Sequence, residues 1–411
     1  MENKGKTLIV IGGGAAGFFC AVNAAKNNPT LNVIITEKSS KLLSKVKVSG
    51  GGRCNVTHHC FGIEELIKKY PRGQHFLKKA FHHFNTAHTI QWFEERGITL
   101  KAEADGRMFP QSNTSQTIID CLLKEANKYN VEIIMNADVK QISKVNFVFQ
   151  LQLAGGRHLL ADYVCVACGG FSKPEHFQWL QQLGHSFESA VPSLFTFNMP
   201  GNSITALMGV SVEQAIVKIT GTKLLQEGPV LITHWGLSGP AVLKLSAYAA
   251  RELAQEGYNF SILINWLPQY NEQTLKTKWQ LLRNQLATQA IGSKNPFHLA
   301  ARLWQYFLQQ AAIPVETRWS AITAKQQNKL IQTLVAQSFE VKGKTTFKEE
   351  FVTCGGIKLS EINASTMQSR IVSNLFFAGE IMDVDGITGG FNFQHAWTSG
   401  WIAAKAIAEV L

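Results

Sequence analysis

The chain has 411 residues, 45% hydrophobic and 17% charged. That composition is globular and excludes a disordered chain, a collagen-like one or a small disulfide-stapled scaffold. Seven scattered cysteines read as reduced thiols in a cytoplasmic protein, and no apolar run approaches the roughly 20 residues of a membrane span. "MENKGK" runs straight into a short apolar stretch, so no secretory leader is expected.

"TLIVIGGGAAGFFCAVNAA" predicts a strand, a tight turn and a helix. Leu8 to Ile11 is a continuous apolar run, as in a buried parallel strand. Gly12, Gly14 and Gly17 stand in G-x-G-x-x-G. The first glycine makes the turn, the second lets a pyrophosphate approach the backbone, and the third lets the helix pack on the strand. The helix N-terminus then presents free N–H groups to phosphate. "LNVIITEK" follows as a second strand and places Glu37 twenty residues past Gly17, where an acid can hold ribose hydroxyls.

The net charge of +11 is unevenly spread. Between Lys38 and Lys79 there are ten Lys and Arg against only Glu64 and Glu65, leaving +8 in one segment. Such a patch points to a polyanionic partner, either nucleic acid or a phosphorylated substrate. Inside it lies a second glycine triplet, in "VSGGGRCN". The preceding "EKSSKLLSKVK" is basic and polar rather than an apolar strand, so this triplet opens no second dinucleotide fold. It reads as a loop laid over the same cofactor, its glycines letting the backbone pass close, with Arg53 a charge partner and Asn55 a hydrogen-bonding group.

"VEIIMNADVKQI" predicts one strand containing Val139, and "ADYVCVACGG" a strand ending in Gly-Gly. Cys165 and Cys168 are three apart on a strand, so their sulfurs point to opposite faces and are structural rather than a redox dithiol. The paired histidines at 58–59 and 82–83 lack a second half for a metal site, and no metal is expected. Residues 191–265 alternate and suggest β-structure, whereas 270–335 are Gln-, Leu- and Lys-rich at helical spacing, with Trp279, Leu282 and Leu286 as core. "FEVKGKTTFKEEFVTCGG" returns as strands, "SNLFFAGEIMD" is a late apolar strand ending in Gly379-Glu380, and "NFQHAWTSGWIAAKAIAEVL" predicts a C-terminal helix.

The fingerprint is N-terminal and the last motif C-terminal, so the nucleotide-binding domain must be discontinuous. The expected division is a Rossmann-like α/β FAD-binding domain at 1–190 and 352–411, an inserted β-rich substrate domain at 191–269 and 336–351, and a small helical domain at 270–335. The order of these strands looks like the glutathione-reductase-like class of flavoproteins, in which a late strand brings a Gly and an acid to the ribityl chain. Only one dinucleotide fingerprint is present, so FAD is the expected resident cofactor. NADH or NADPH would be a transient electron donor without a domain of its own.

The chain resembles the BaiN-like (YhiN-like) family of bacterial FAD-dependent oxidoreductases. The resemblance rests on "GGGAAG", "VSGGGRCNVT", "MFPQSN", "THWGLSGPAVL", "TCGGIKLSEINASTMQSR" and "FFAGEIMDVDGITGGFNFQHAWTSGW", in the family's order over nearly the whole chain. One departure is that "FSKPEHFQWLQQLGH", after Gly170, is shorter than the family's Gly/Thr-rich loop and lacks its glycines. By this resemblance FAD contacts fall on Gly12, Gly14, Ala15, Ala16, Glu37 and Lys38 from the first half-fold. Ser49, Gly50, Gly52, Arg53, Cys54 and Asn55 contribute from the second triplet, and Val139 reads the adenine edge. Gly379, Glu380, Asp383, Gly390, Phe391 and Asn392 close the site. Backbone N–H groups around Gly389-Gly390 and the positive end of the last helix would stabilise charge on reduced flavin.

His234, Cys54 and Arg53 are the candidate catalytic residues, His234 as a general acid on a loop that the resemblance turns toward the flavin, beside a stacking Trp235. His395 is a further candidate that helix packing explains equally well. The resemblance implies reduction of an activated C=C bond, and family members act on a uridine 5,6-bond in ribosomal RNA, on unsaturated bile-acid intermediates or, as oxidases, on amino ketones. The +8 segment favours the uridine of large-subunit ribosomal RNA, which would have to be unstacked to reach a flavin. Two alternatives are a small-molecule flavin oxidase or reductase and a non-catalytic flavin-bound RNA-binding factor.

Overall fold

In the computed structural model, which describes residues 5–345 and 352–409, the apolar run after Lys6 is the central strand of a five-stranded parallel sheet. The strands are β1 (Thr7–Ile11), β2 (Asn32–Thr36), β3 (Glu132–Ile134), β4 (Tyr163–Val166) and β5 (Leu375–Phe377). Their spatial order is β5-β4-β1-β2-β3, with Leu8 opposite both Tyr163 and Val33. Leu8, Ile9, Val10, Val164, Cys165 and Phe376 are fully buried, as the two covered faces of a parallel sheet require.

Helix α1 (Ala15–Asn27) leaves β1 through the glycine turn. A Cβ on Gly17 would run into the Gly12 carbonyl oxygen, so the third fingerprint glycine sets the distance between helix and strand. Helix α4 (Phe391–Glu409) packs along α1, and Gly400 leaves room for the Ala16 carbonyl. The chain forms two compact units. The first, residues 1–193 and 348–411, holds this sheet together with α1 and α4.

Two local expectations change. The "VEIIMNADVKQI" stretch is not one strand. It ends β3 at Ile134, turns at Asn136 with φ 53°, and restarts at Val139 in a separate antiparallel sheet, Val139–Val145 with Val148–Leu153 and His158–Ala161. The second triplet, expected as a loop, instead ends a kinked helix that begins in the basic stretch before it. Helix α2 (Ser44–Gly52) starts there, with Val46 as its one buried side chain. It breaks at Ser49, and the glycines then run left-handed, with φ of 58°, 69° and 84° at Gly50, Gly51 and Gly52. Helix α3 (Gln74–His83) follows, amphipathic on Phe76, Leu77, Ala80 and Phe81.

The second unit, residues 194–347, is a seven-stranded sheet whose strands include Ser211–Ile219, Leu225–Ile232, Asn259–Asn265 and Gln337–Lys342. Within the alternating stretch, two helices (Pro240–Tyr248 and Ala250–Gln255) were not anticipated, although Gly239-Pro240 is a helix-start signal. The helices expected as a separate domain, Glu272–Gln285 and Ala324–Val335, share one core with this sheet: Trp279, Leu282, Leu330 and Leu334 pack in the same cluster as Val217, Ile262 and Val341. Both begin with capping boxes, at Asn271 and Thr323. Of the predicted return strand, residues 346–351 lie outside the described residues. Residues 410–411 of the predicted last helix do as well. Among the described residues, no helix is long and apolar enough to cross a membrane.

Candidate functional site

At the first triplet the Gly12 N–H donates to the Thr36 carbonyl at 2.7 Å, tying the turn to the end of β2. Gly14 caps α1, and nothing lies within 4 Å of where its Cβ would stand. The first turn of α1, starting at Ala15 and Ala16, carries no acidic residue. Beside it, the Glu37 carboxylate accepts the Gly13 N–H at 2.9 Å and the Ser39 N–H and hydroxyl at 2.9 and 2.8 Å. Lys38 is exposed next to it. Ala137 and Asn136 donate their N–H groups to the carbonyls of Glu37 and Ser39, which brings the start of the Val139 strand to the same corner.

The two glycine-rich loops meet. With its amide oriented to its partners, Asn55 accepts the Gly390 N–H at 2.9 Å and donates to the Thr57 carbonyl at 3.0 Å. The Gly390 N–H is therefore occupied, and the donors available to an anion at this point are the N–H groups of the first turn of α4. Asn392 is likewise occupied: its amide bonds the Gly386 N–H and carbonyl, both at 2.8 Å, and closes the loop in front of α4. Phe391 is buried, stacked on His58 at 4.7 Å, with its carbonyl accepting the Tyr70 hydroxyl at 2.8 Å. His58 thus packs against the start of α4.

Around Gly379 lie several polar groups. The Gly379 N–H donates to Ser399 at 2.8 Å. Glu380 pairs with Lys45 of α2 at 2.5 Å and accepts the Thr353 N–H at 2.8 Å. Burial opposes charge on Glu380, but the Lys45 ammonium and hydrogen bonds from Lys45 and the Thr353 and Gly170 backbones hold its carboxyl below the ordinary range. His395 Nε2 faces the Gly379 carbonyl at 3.2 Å, so it carries the proton, and Nδ1 is left buried without a hydrogen-bond partner. Burial lowers its pKa to about 4. The Thr353 hydroxyl beside Glu380 is also buried and unpartnered. Asp383 is half-buried nearby, its N–H on the Ile357 carbonyl.

Of the catalytic candidates, Cys54 is fully buried at φ 60°, and burial pushes its thiol up to about 12 despite a hydrogen bond with Ser49. Arg53 pairs with Glu103 at 2.6 Å and lies 4.0 Å over the Phe109 ring. The Ser49 hydroxyl donates to Val46, and the Gly52 carbonyl accepts the Ser115 N–H. His234 is exposed in the turn between Leu225–Ile232 and Gly236–Ser238 of the second unit, edge-on to Trp235 at 4.2 Å. Trp235 Nε1 donates to Thr196 at 3.0 Å. The Cys165 thiol bonds Cys20 on α1, and this contact and burial hold it protonated, while burial, with smaller help from the Glu37 and Asp138 carboxylates, pushes Cys168 up to about 12. No thiolate pair forms there.

Residue-by-residue reading missed Lys45, Tyr70 and the buried Arg72–Asp385 pair. Arg72 forks onto Asp385, with Nε donating at 2.6 Å, and the Ser193 hydroxyl donates to the same carboxylate at 2.7 Å. Nothing local in the sequence announces partners more than 300 residues apart.

The residues present fit an FAD. A Gly14 with open space above it, an acid-free helix N-terminus, an acid at the end of β2 and buried unpartnered atoms on His395 and Thr353 together suit a dinucleotide rich in hydroxyls. Fold and fingerprint define the class, an oxidoreductase with the Rossmann fold of the FAD-dependent enzymes. The chain matches the family of the HI0933-like protein Rossmann domain over residues 6–406 and belongs to that family. It is 32% identical to the ribosomal RNA dihydrouridine synthase of Escherichia coli (strain K12), over 97% of this chain and 96% of that protein. It is 26% identical to the 3-dehydro-bile acid delta(4,6)-reductase of Clostridium scindens, over 97% and 98%. In fold it is similar to a 3-ketosteroid delta1-dehydrogenase from Sterolibacterium denitrificans, at a TM-score of 0.53 and 12% identity, over all of both chains.

Proposed function

We propose that the protein binds FAD and reduces the 5,6 double bond of a uridine in large-subunit ribosomal RNA to dihydrouridine. The observation that carries this reading is the full-length similarity, at 32% identity, to a ribosomal RNA dihydrouridine synthase. The +8 segment from Lys38 to Lys79 supports it, because a small neutral substrate needs no such field. Glu37, Gly14 and the start of α1 would hold the dinucleotide. Glu380 and His395 would serve the ribityl region, and the first turn of α4 would face negative charge on the ring.

The reaction adds a hydride and a proton across one C=C bond, and FAD when bound supplies the hydride chemistry. NADH or NADPH would restore the reduced state as a visiting donor. His234 stays the candidate proton donor that the family resemblance gives, since Cys54 holds its proton too firmly inside the fold and Arg53 is engaged with Glu103. Deleting the gene and mapping dihydrouridine in large-subunit ribosomal RNA tests the reading. Loss of one dihydrouridine is expected, and an unchanged pattern would sink it.

The similarity to the bile-acid reductase favours a second reading, reduction of a small enone. It differs in predicting an affinity for substrate that is indifferent to salt.

A further inference from the structure

Apart from the Ile357 carbonyl, the motif "GIKLSEINASTMQSR" has no part in the site above, yet it folds over the end of the basic segment. Together with the first turns of α3 it lines an open cleft of about 370 Å³. This is near the lower end of small-ligand cavities, about 300–1,000 Å³, and suits one nucleotide unit. Its polar lining is His75 and Lys79 from α3, and Ser360, Asn363, Ser365 and Arg370 from the motif. Among the described residues, no Asp or Glu lines it. The nearest acid in the motif, Glu361, is turned away, accepting the Ser186 N–H at 2.9 Å and facing His185 Nδ1 at 3.0 Å.

From these groups we infer that the cleft is a phosphate subsite for the RNA strand, occupied by a nucleotide flanking the target uridine. It rests on the reading that RNA is the substrate. Two permanent cations, hydroxyls and an amide are the donors that protein surfaces use on phosphate and sugar. α3 has no acid in its first turn, so its N-terminus adds to the positive field. Arg370 is presented from a fixed turn. The adjacent Ser369 hydroxyl donates to His185 Nε2 at 3.0 Å and accepts the Ile371 and Val372 N–H groups at 3.0 and 2.9 Å. Among the described residues, Arg370 itself uses only Nε, on the Ile362 carbonyl at 3.3 Å, and lies exposed.

The test is binding of the full-length protein to an unmodified transcript of large-subunit ribosomal RNA across a salt series. Lys79→Gln and Arg370→Gln should each lower the slope of log affinity against log salt by about 0.7 to 0.9, with the melting temperature unchanged. Arg370→Lys should restore the slope, which separates lost charge from a loosened turn. Wild-type binding with both Gln variants on the wild-type slope overturns the inference and leaves the substrate reading intact. Wild type that shows no salt-dependent binding overturns both.

Discussion

The Asn55 side chain accepts the Gly390 N–H at 2.9 Å, so the loop after the second glycine triplet is fastened to the loop that starts the last helix. A Cβ on Gly390 would meet the Thr57 carbonyl and the Asn55 side chain, and its φ of 91° is itself unfavourable for other residues. Asn55→Leu should cost about 1–3 kcal/mol, because it leaves buried partners unmade. It should also weaken FAD retention. Denaturant melts and flavin titration of the same variant check both effects.

The fingerprint glycines should separate binding from folding. Gly14→Ala adds its methyl to open space at an ordinary φ of −97°, so the FAD-free protein should melt within about 0.5 kcal/mol of wild type while flavin affinity falls. Gly17→Ala drives a methyl into the Gly12 carbonyl and should cost about 1–3 kcal/mol with or without flavin. Equal stability losses in the two variants would contradict this assignment.

His395 makes stability depend on pH. Its folded pKa of about 4 lies below the unfolded value near 6.5, so the unfolded chain binds the extra proton first. The associated stability is fully present above pH 6.5 and is lost as pH falls toward 4, by about 1.4 kcal/mol per unit. His395→Gln should flatten that part of the profile in chemical denaturation of the FAD-free protein.

Arg72 and Asp385 form a buried fork, with Asp385 fully inaccessible. Burial raises the Asp385 pKa, although Arg72 and Ser193 pull it back. Removing one partner leaves the other charge stranded, so Arg72→Met should destabilise by about 3–5 kcal/mol. Arg72→Met with Asp385→Leu should recover much of that loss, as a double-mutant cycle in urea would show.

What the sequence made legible was local and periodic. The strand, turn and helix of 7–27 are carried by an unbroken apolar run and glycine spacing, and these lie where they were expected. Glu37 was placed by its distance from Gly17. The break at Asn136 was not legible, because "VEIIMNADVKQI" has strand propensity on both sides of a residue that tolerates a left-handed φ. Helix α2 was hidden because only Val46 of its residues is buried, which leaves no apolar period to read. The tertiary partners, Asn55 with Gly390, Lys45 with Glu380 and Arg72 with Asp385, join sequence-distant positions and leave no periodic trace.

The central claim, reduction of a ribosomal RNA uridine by an FAD held between these loops, is tested most directly by a single-turnover experiment. The purified protein is reduced anaerobically, freed of excess reductant, and mixed with unmodified large-subunit ribosomal RNA. Flavin reoxidation and dihydrouridine are followed together. The account predicts reoxidation by the RNA with one dihydrouridine formed per flavin. A flavin that stays reduced with the RNA but reoxidises with a small enone would contradict it.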